Sequence, residues 1–291
     1  MGQSQPSPNV VQATWDWIIF IVGAVLCGLA FLAIEPWLLS PRGGFGPTVL
    51  QAAQPVPAIV AMVLALLVTF IISAGAGRLL RSPSKGLVIM GIGLGWLAWR
   101  LEGIESVAFT GSLTLVAIEG LVWTVLVLLI AWGVYLYAGP LACVQPRENR
   151  SETDDWATSP AAGILIASGL CALPIIWLIA QSPARGQAVA AATLGALAAG
   201  VVGRLAAPHV QPILLMMSPV LAGTLVQWAM TFWLAPNQLE TMYMQGDFPH
   251  VLVPIPIDWV AGSLMGVPWG IYVGNIFLQH DSDDGTQAEF A

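Results

Sequence analysis

Charged residues are scarce in this chain of 291 residues, where they make up only 9% of the total. Soluble domains carry roughly 25% charged residues, so the shortage is large. Hydrophobic residues reach 57%, and the mean hydropathy is +0.80. A soluble fold of this size would not have enough polar residues to cover such an apolar core. The composition therefore excludes a soluble domain and indicates an integral membrane protein whose main partner is the lipid bilayer.

The residues that build metal and redox centres are also few. The chain has three cysteines and three histidines, and the cysteines show no metal-type spacing. No phosphate-binding loop and no nucleophile elbow occurs. Lysine and arginine never form a run, which argues against a nucleic-acid partner. We therefore predict no metal, no cofactor and no nucleic-acid partner, and we identify no catalytic residue.

Long apolar runs dominate the rest of the chain. About 20 apolar residues cross a bilayer as a helix, so the runs predict an all-α polytopic membrane bundle with about eight spans. The predicted spans are residues 16–35, 57–77, 86–104, 113–138, 160–181, 187–206, 211–235 and 257–278. The third span is the weakest, because Arg100 and Glu102 interrupt its end, and a bundle of seven spans remains an alternative.

The runs divide the chain into two membrane halves. We predict five regions: a polar tail at 1–15, a first four-helix half at 16–138, a charged linker at 139–159, a second four-helix half at 160–278 and an acidic, disordered tail at 279–291. Each half has Gly-Arg-Leu at the end of its second helix, at residues 77–79 and 203–205. This similarity suggests a parallel repeat of four spans, although such common residues also coincide by chance.

The positions of Lys and Arg predict the orientation in the membrane. With eight spans, six of the nine cations fall on one side, namely Arg78, Arg81, Lys85, Arg147, Arg150 and Arg204. The other side carries three, which are Arg42, Arg100 and Arg185. Cytoplasmic connections carry the excess of Lys and Arg. We therefore predict a protein of a bacterial-type inner membrane with both termini in the cytoplasm.

A stripe of glycines runs along the last span, where Gly262, Gly266, Gly270 and Gly274 occupy every fourth position. Four residues turn a helix by about 400°, so the glycines form a slanted groove on one face. Small residues let membrane helices approach closely, and the stripe therefore predicts tight packing against another helix. That helix belongs either to this chain, with the small-residue-rich third and sixth spans as candidates, or to a second copy or another membrane protein.

Four polar residues at or near membrane depth are the candidates for a substrate-binding or ion-coupling site: Glu119, Asp258, Arg100 and Gln227. Placing an ionised side chain in hydrocarbon costs several kcal/mol of free energy, so such a residue is paired, hydrated or neutral. Glu119 is either a structural ion pair with Arg100 or a protonatable or cation-binding carboxylate in a water-filled cavity. Asp258 is either a helix N-cap or a second such carboxylate. In a parallel repeat Asp258 corresponds to Glu119, and the two carboxylates would lie near each other.

Three classes of function fit these residues. The first hypothesis is a small secondary transporter or permease, with a substrate path between the two halves and Glu119 and Asp258 as coupling groups. The second is a non-transporting assembly or scaffold subunit of a membrane complex, packed through the glycine stripe. A membrane enzyme is the third, and no catalytic constellation supports it.

Overall fold

The chain folds into a bundle of α-helices. The computed structural model describes residues 10–141, 161–235 and 238–288. The helices of this part are α1 (Val10–Leu32), α2 (Pro55–Leu79), α3 (Pro83–Arg100), α4 (Ile104–Thr110), α5 (Leu113–Ala138), α6 (Ala161–Ala167), α7 (Ala172–Ile179), α8 (Arg185–Ala206), α9 (Ile213–Trp233), α10 (Gln238–Gln245) and α11 (Pro256–Ala288). Within these residues, seven helical segments are long and apolar enough to cross a membrane, which confirms the predicted all-α membrane bundle.

The third predicted span forms α3, which is less apolar than the other seven segments because Lys85 and Arg100 lie near its two ends. Its 18 residues extend about 27 Å, close to the thickness of a hydrocarbon core. Ser84 at its start bonds to Leu141 after α5. Arg100 at its end pairs with Glu35 after α1. Helix α3 thus runs from one end of the bundle to the other, but it is not among the seven segments that are apolar enough to span a membrane, so the eighth span stays a prediction.

The connections at one end of the bundle fold into a common layer, which we call the cap layer. It comprises four connections, residues 33–54, 101–112, 180–184 and 234–255. Gln51 in the first connection bonds to the backbone of the second. Phe109 in the second packs edge-on against Tyr243 in the fourth. Gln181 Nε2 in the third lies 3.1 Å from His250 Nδ1 in the fourth. Each connection therefore contacts at least one other, and together they cover this end of the bundle.

The opposite end, which we call the base, holds the start of α1, the α2–α3 turn and the end of α5. Asp16 Oδ2 in α1 lies 3.7 Å from Lys85 Nζ in α3. Arg204 near the end of α8 donates a hydrogen bond of 2.6 Å to Asn275 in α11. Because α1 starts at this end and α11 runs toward it, the first and last described helices both reach the base.

The terminal segments differ from the sequence prediction. Helix α1 already begins at Val10, and α11 continues through Ala288, so most of the tail predicted to be disordered is helical. The chain has no proline after Pro268 that would end this helix. The charged linker predicted at 139–159 lies outside the described residues from residue 142 onward, and its role stays a prediction.

The fifth predicted span, residues 160–181, is interrupted in the structure. A 3-10 turn, Ser168–Cys171, separates α6 from α7. Gly169 in this turn packs directly on the backbone of Ser218 in α9, where a side chain would collide. Pro174 follows shortly after the turn and has no N–H to donate to the preceding helical turn. The missing donor and the close approach to α9 together account for the interruption.

The four glycines of the stripe face α8. A Cβ atom built on Gly266 would lie 2.8 Å from the backbone nitrogen of Leu197, and one on Gly270 would lie 2.9 Å from another backbone nitrogen of α8. Gly262 and Gly274 lie against the same helix. Backbone thus packs on backbone at Gly262, Gly266 and Gly270, which only glycine permits at this distance, whereas Gly274 lies against the side chain of Arg204. Since α8 fills the groove, a second chain would have to contact α11 through another face.

Candidate functional site at the cap end

The first connection of the cap layer folds back into the bundle. A β-bridge between Leu39 and Phe45 closes a turn in which Gly43 has a φ of 85°, a conformation that suits glycine. The chain then enters the bundle, and residues 46–49 are buried. The 3-10 turn Val49–Gln51 packs against both α2 and α5. Backbone N–H groups are therefore carried to a buried position, where they require hydrogen-bond acceptors.

Glu119 supplies these acceptors from α5. Its Oε1 accepts hydrogen bonds from the backbone N–H of Val49 and from Nε1 of Trp123, both at 3.2 Å. Its Oε2 accepts one from the backbone N–H of Leu50 at 3.0 Å. The residue is only 5% exposed. Trp123 lies one helical turn after Glu119, so one face of α5 presents both groups to the turn. Glu119 thus fixes the inserted connection to α5.

The predicted ion pair between Glu119 and Arg100 does not form. Arg100 instead donates two hydrogen bonds to Glu35, from Nε to Oε1 at 3.0 Å and from Nη2 to Oε2 at 3.3 Å. Its guanidinium also lies 5.7 Å from the ring centroid of Phe45. Arg100 is the last residue of α3 and Glu35 follows α1, so they meet at the cap end of the bundle. Glu119 faces the buried turn, where backbone donors take the place of a cation.

Asp258 is fully buried and pairs with Arg185. Arg185 Nη1 donates to Oδ2 at 2.9 Å, and Nη2 donates to Oδ1 at 2.6 Å. The same guanidinium donates from Nε and Nη2 to the carbonyl of Ala98, at 3.0 and 2.7 Å. Arg185 begins α8, Asp258 lies in the first turn of α11, and Ala98 lies in the last turn of α3. One side chain therefore joins three helices at the cap end, a role that its sequence context did not indicate.

Asp258 also caps its own helix, although it is not the N-cap residue that the sequence predicts. Helix α11 begins at Pro256, so Asp258 is the third helical residue. Its Oδ2 accepts a hydrogen bond of 2.9 Å from the backbone N–H of Ile255. A third residue reaches back to the N-cap in this way in a capping box, and proline is favoured at the first position. Both oxygens of Asp258 are therefore engaged.

Gln227, the fourth candidate, is 1% exposed and donates from Nε2 to the carbonyl of Pro254 at 3.3 Å. The indole of Trp259 donates to the same carbonyl at 3.1 Å. Trp259 packs on Gly223 of α9, where a Cβ atom would collide with the ring. Pro254 lies just before α11, so these two donors hold the last connection of the cap layer against α9.

Comparison with known proteins assigns this chain to no family. No family model, curated protein or solved structure matches the chain. The function of the site therefore has to follow from the chemistry of its own residues.

The acidic residues of the cap layer do not form a metal site in the described part of the chain. No group of three His, Cys, Asp or Glu side chains there is arranged to hold an ion. Glu105 accepts a hydrogen bond of 3.0 Å from the backbone N–H of Gly103. Partial burial and the negative charge of Glu105 raise the pKa of the Tyr243 hydroxyl. Phe109 and Phe248 pack edge-on against Tyr243, so aromatic contacts join α4 and α10.

The four candidate residues thus hold separate parts of the cap layer instead of lining one cavity. Glu119 holds the first connection, Arg100 ties that connection to α3, Asp258 joins three helix ends and Gln227 holds the last connection. Among the described residues, Glu119 and Asp258 share no hydrogen-bond partner. The structure therefore gives each carboxylate its own environment, and the parallel repeat stays a prediction.

Proposed function

We propose that the protein is a non-transporting structural component of a membrane assembly, and that its cap layer is the surface which other components contact. The observation that supports this most strongly is the hydrogen bonding of the two buried carboxylates. Glu119 accepts hydrogen bonds from three N–H donors. Asp258 also accepts three. Each carboxyl group is therefore engaged in holding together the protein's own structure.

A coupling carboxylate would have to release its partners during every transport cycle. For Glu119 this release would leave the N–H groups of Val49 and Leu50 buried without acceptors, at a cost of about 1–3 kcal/mol each. For Asp258 it would leave the guanidinium of Arg185 without its counterion, which costs more. These free energies favour a fixed scaffold over a carrier whose carboxylates change partners.

We further propose that the protein lies in a bacterial-type inner membrane with the base in the cytoplasm. Three arginines belong to the cap layer or its helix ends, and the remaining six cations belong to the base or to the linker after α5. An excess of Lys and Arg is typical of the cytoplasmic side. Both termini would then be cytoplasmic, and the partners of the cap layer would be other membrane proteins or domains on the outer side.

Cross-linking in native membranes tests the cap layer as a docking surface. Arg42→Glu and Glu240→Arg reverse charges at exposed positions of the cap layer, whereas Gln12→Glu changes the charge of an exposed position at the base. We expect a defined cross-linked complex with the wild type and with Gln12→Glu, and less of it with the two cap-layer variants. Equal yields from all four proteins would contradict the proposed docking surface.

The interrupted segment α6–α7 favours a transporter as the second candidate. Discontinuous spanning helices mark substrate sites in many transporters, and Gly169 in the interruption touches Ser218 beside Pro219 of α9. Liposomes containing the purified protein and an internal pH dye separate the two functions. We expect them to hold a proton gradient as long as protein-free liposomes do. A flux that disappears in folded Glu119→Gln, but persists in Glu240→Gln, would overturn the scaffold proposal.

A further inference from the structure

A turn at the base of the bundle concentrates positive charge. It joins α2 to α3 and carries Arg78, Arg81 and Lys85, three of the nine Lys and Arg residues of the chain. All three residues are exposed. We call these three residues the basic turn.

Much of this charge has no counterion in the described part of the protein. Arg78 donates a hydrogen bond to the carbonyl of Tyr137 and lies 5.2 Å from the centroid of its ring, so its positive charge is not neutralised. Lys85 has one carboxylate neighbour, Asp16, at 3.7 Å. The side chain of Arg81 makes no hydrogen bond or ion pair with another described residue; its backbone N–H donates to the carbonyl of Arg78 at 3.2 Å. Among the described residues, three cations thus face a single carboxylate, which leaves a surplus of positive charge at the turn.

The backbone that carries the basic turn is held in place on both sides. Ser73 in α2 donates a hydrogen bond of 2.6 Å to the carbonyl of Gly86 in α3. Ser84 donates one of 2.8 Å to the carbonyl of Leu141 after α5. Groups on a fixed backbone lose less conformational freedom when they bind a ligand. The spacing of the three backbone positions that carry these charges is therefore set before any ligand arrives.

Arg81 occupies a backbone conformation that does not suit an arginine. Its φ is 49°, and among the described residues it is the one non-glycine residue with a positive φ. Glycine or asparagine adopts this region at a lower cost. The end of α2 accounts for this conformation: the backbone N–H groups of Ser82 and Arg81 donate to the carbonyls of Gly77 and Arg78, at 2.9 and 3.2 Å, as in a Schellman motif. The Arg81 side chain takes no part in this cap and makes no polar contact within the described fold.

Exposed aromatic side chains place the basic turn at the level of the lipid headgroups. Trp15 and Trp17 flank Asp16, the residue that contacts Lys85, and they are 59% and 65% exposed. Tyr137 at the end of α5 is 53% exposed. Exposed Trp and Tyr prefer the boundary between hydrocarbon and water. The three cations therefore lie where lipid phosphates are found.

From these contacts we propose that the basic turn binds the phosphate headgroup of an anionic phospholipid in the adjacent leaflet. Arg81 supplies a guanidinium that can donate two parallel hydrogen bonds to phosphate oxygens. Arg78 and Lys85 add positive charge on either side. The site depends only on the bundle being embedded in a membrane, so it is independent of the choice between scaffold and transporter.

Lipid titration of the purified protein tests this site. Delipidated protein in neutral detergent is mixed with phosphatidylglycerol or with zwitterionic phosphatidylcholine, and bound lipid is counted by native mass spectrometry. We expect tighter binding of phosphatidylglycerol. Arg81→Asn should weaken it about fivefold, the effect of one basic residue near an anionic surface. Asparagine suits a positive φ, so the turn should keep its shape. Arg81→Lys keeps the charge but loses the two parallel hydrogen bonds, so its affinity should lie between those of the wild type and Arg81→Asn.

A matched control and a competitor define the outcomes. Arg42→Asn removes an exposed arginine from the cap layer and should leave the affinity for phosphatidylglycerol unchanged. Equal affinities of wild type and Arg81→Asn would overturn the proposal, and so would an equal loss in Arg42→Asn, which would indicate a general charge effect. Displacement of the lipid by an equal concentration of inorganic phosphate would assign the site to free phosphate and would also overturn it.

Discussion

Two ion pairs at the cap end have the same chemistry but differ in how deeply they are buried. In the Arg185–Asp258 pair the side chains are 12% and 0% exposed, whereas in the Arg100–Glu35 pair they are 48% and 12% exposed. Removing one partner of a buried pair leaves an uncompensated charge, which costs about 3–5 kcal/mol. A partly exposed pair contributes at most about 1 kcal/mol, because water and salt screen it.

We therefore expect Asp258→Asn to lower the free energy of unfolding by about 3–5 kcal/mol and Glu35→Gln by at most about 1 kcal/mol. Denaturant unfolding in detergent micelles, followed by tryptophan fluorescence, measures both. The double variant Asp258→Asn/Arg185→Gln should recover part of the loss, because no charge is then left without a counterion. Similar losses in the two single variants would mean that water reaches Asp258.

The sequence identifies the buried acids but not their partners. Glu119 and Asp258 are conspicuous because each is an isolated acid within an apolar run. Their partners lie 70 residues away for Glu119 and 73 for Asp258, and no local spacing encodes contacts over such distances. Two partners are local: a helix places Trp123 on the same face as Glu119, and Asp258 reaches back to the N–H of Ile255. The incorrect pairing of Glu119 with Arg100 assumes a simple hairpin, whereas α4 and the first connection separate these residues.

At the scale of the helix, replacing a glycine by alanine should have opposite effects on stability in α11 and in α1. A Cβ atom on Gly266 would lie 2.8 Å from the backbone nitrogen of Leu197, whereas one on Gly28 meets nothing within 4 Å. We expect Gly266→Ala to lower the free energy of unfolding by about 1–3 kcal/mol, because overpacking separates α11 from α8. Gly28→Ala should raise it by up to about 1 kcal/mol, because alanine is the better helix former.

Unfolding of the two alanine variants in the same detergent measures this contrast. The substitutions add the same methyl group to a spanning helix, so differences in hydrophobicity cancel. A gain in stability from Gly266→Ala would show that α8 can move away from α11 at little cost. Equal losses from both variants would show that Gly28 has a contact within the folded protein in solution.

The positions of regular helices can be predicted from the sequence far better than the positions of breaks and inserted segments. An apolar run of about 20 residues in lipid has to form a helix, because its backbone polar groups must bond to each other, so the positions of these helices can be predicted. The insertion of residues 46–49 depends on the acceptor that Glu119 provides, and the break at Ser168–Cys171 depends on the close approach to Ser218. Both features require knowledge of which helices are neighbours, and proline and glycine positions alone do not supply it.

At the scale of the whole molecule, the two ends of the bundle use their charges differently. At the cap end, Arg100 and Arg185 are bound to carboxylates of the protein itself. At the base, Arg81 has no such partner among the described residues, and the neighbouring cations are only partly compensated. A charge that is paired internally contributes little to the field outside, so among the described residues the two ends differ in positive charge by more than the cation count alone suggests. This asymmetry strengthens the expected cytoplasmic position of the base.

Cysteine labelling tests both this orientation and the passage of α3 through the membrane. Single cysteines replace Arg42 in the first connection, Arg81 in the basic turn and Glu102 after α3, with the native cysteines changed to serine. A membrane-impermeant maleimide added to intact cells should label positions 42 and 102, and should reach position 81 only after permeabilisation. The opposite pattern would place the base outside. If position 102 behaves like position 81, α3 does not cross, only seven segments span the membrane, and the termini lie on opposite sides.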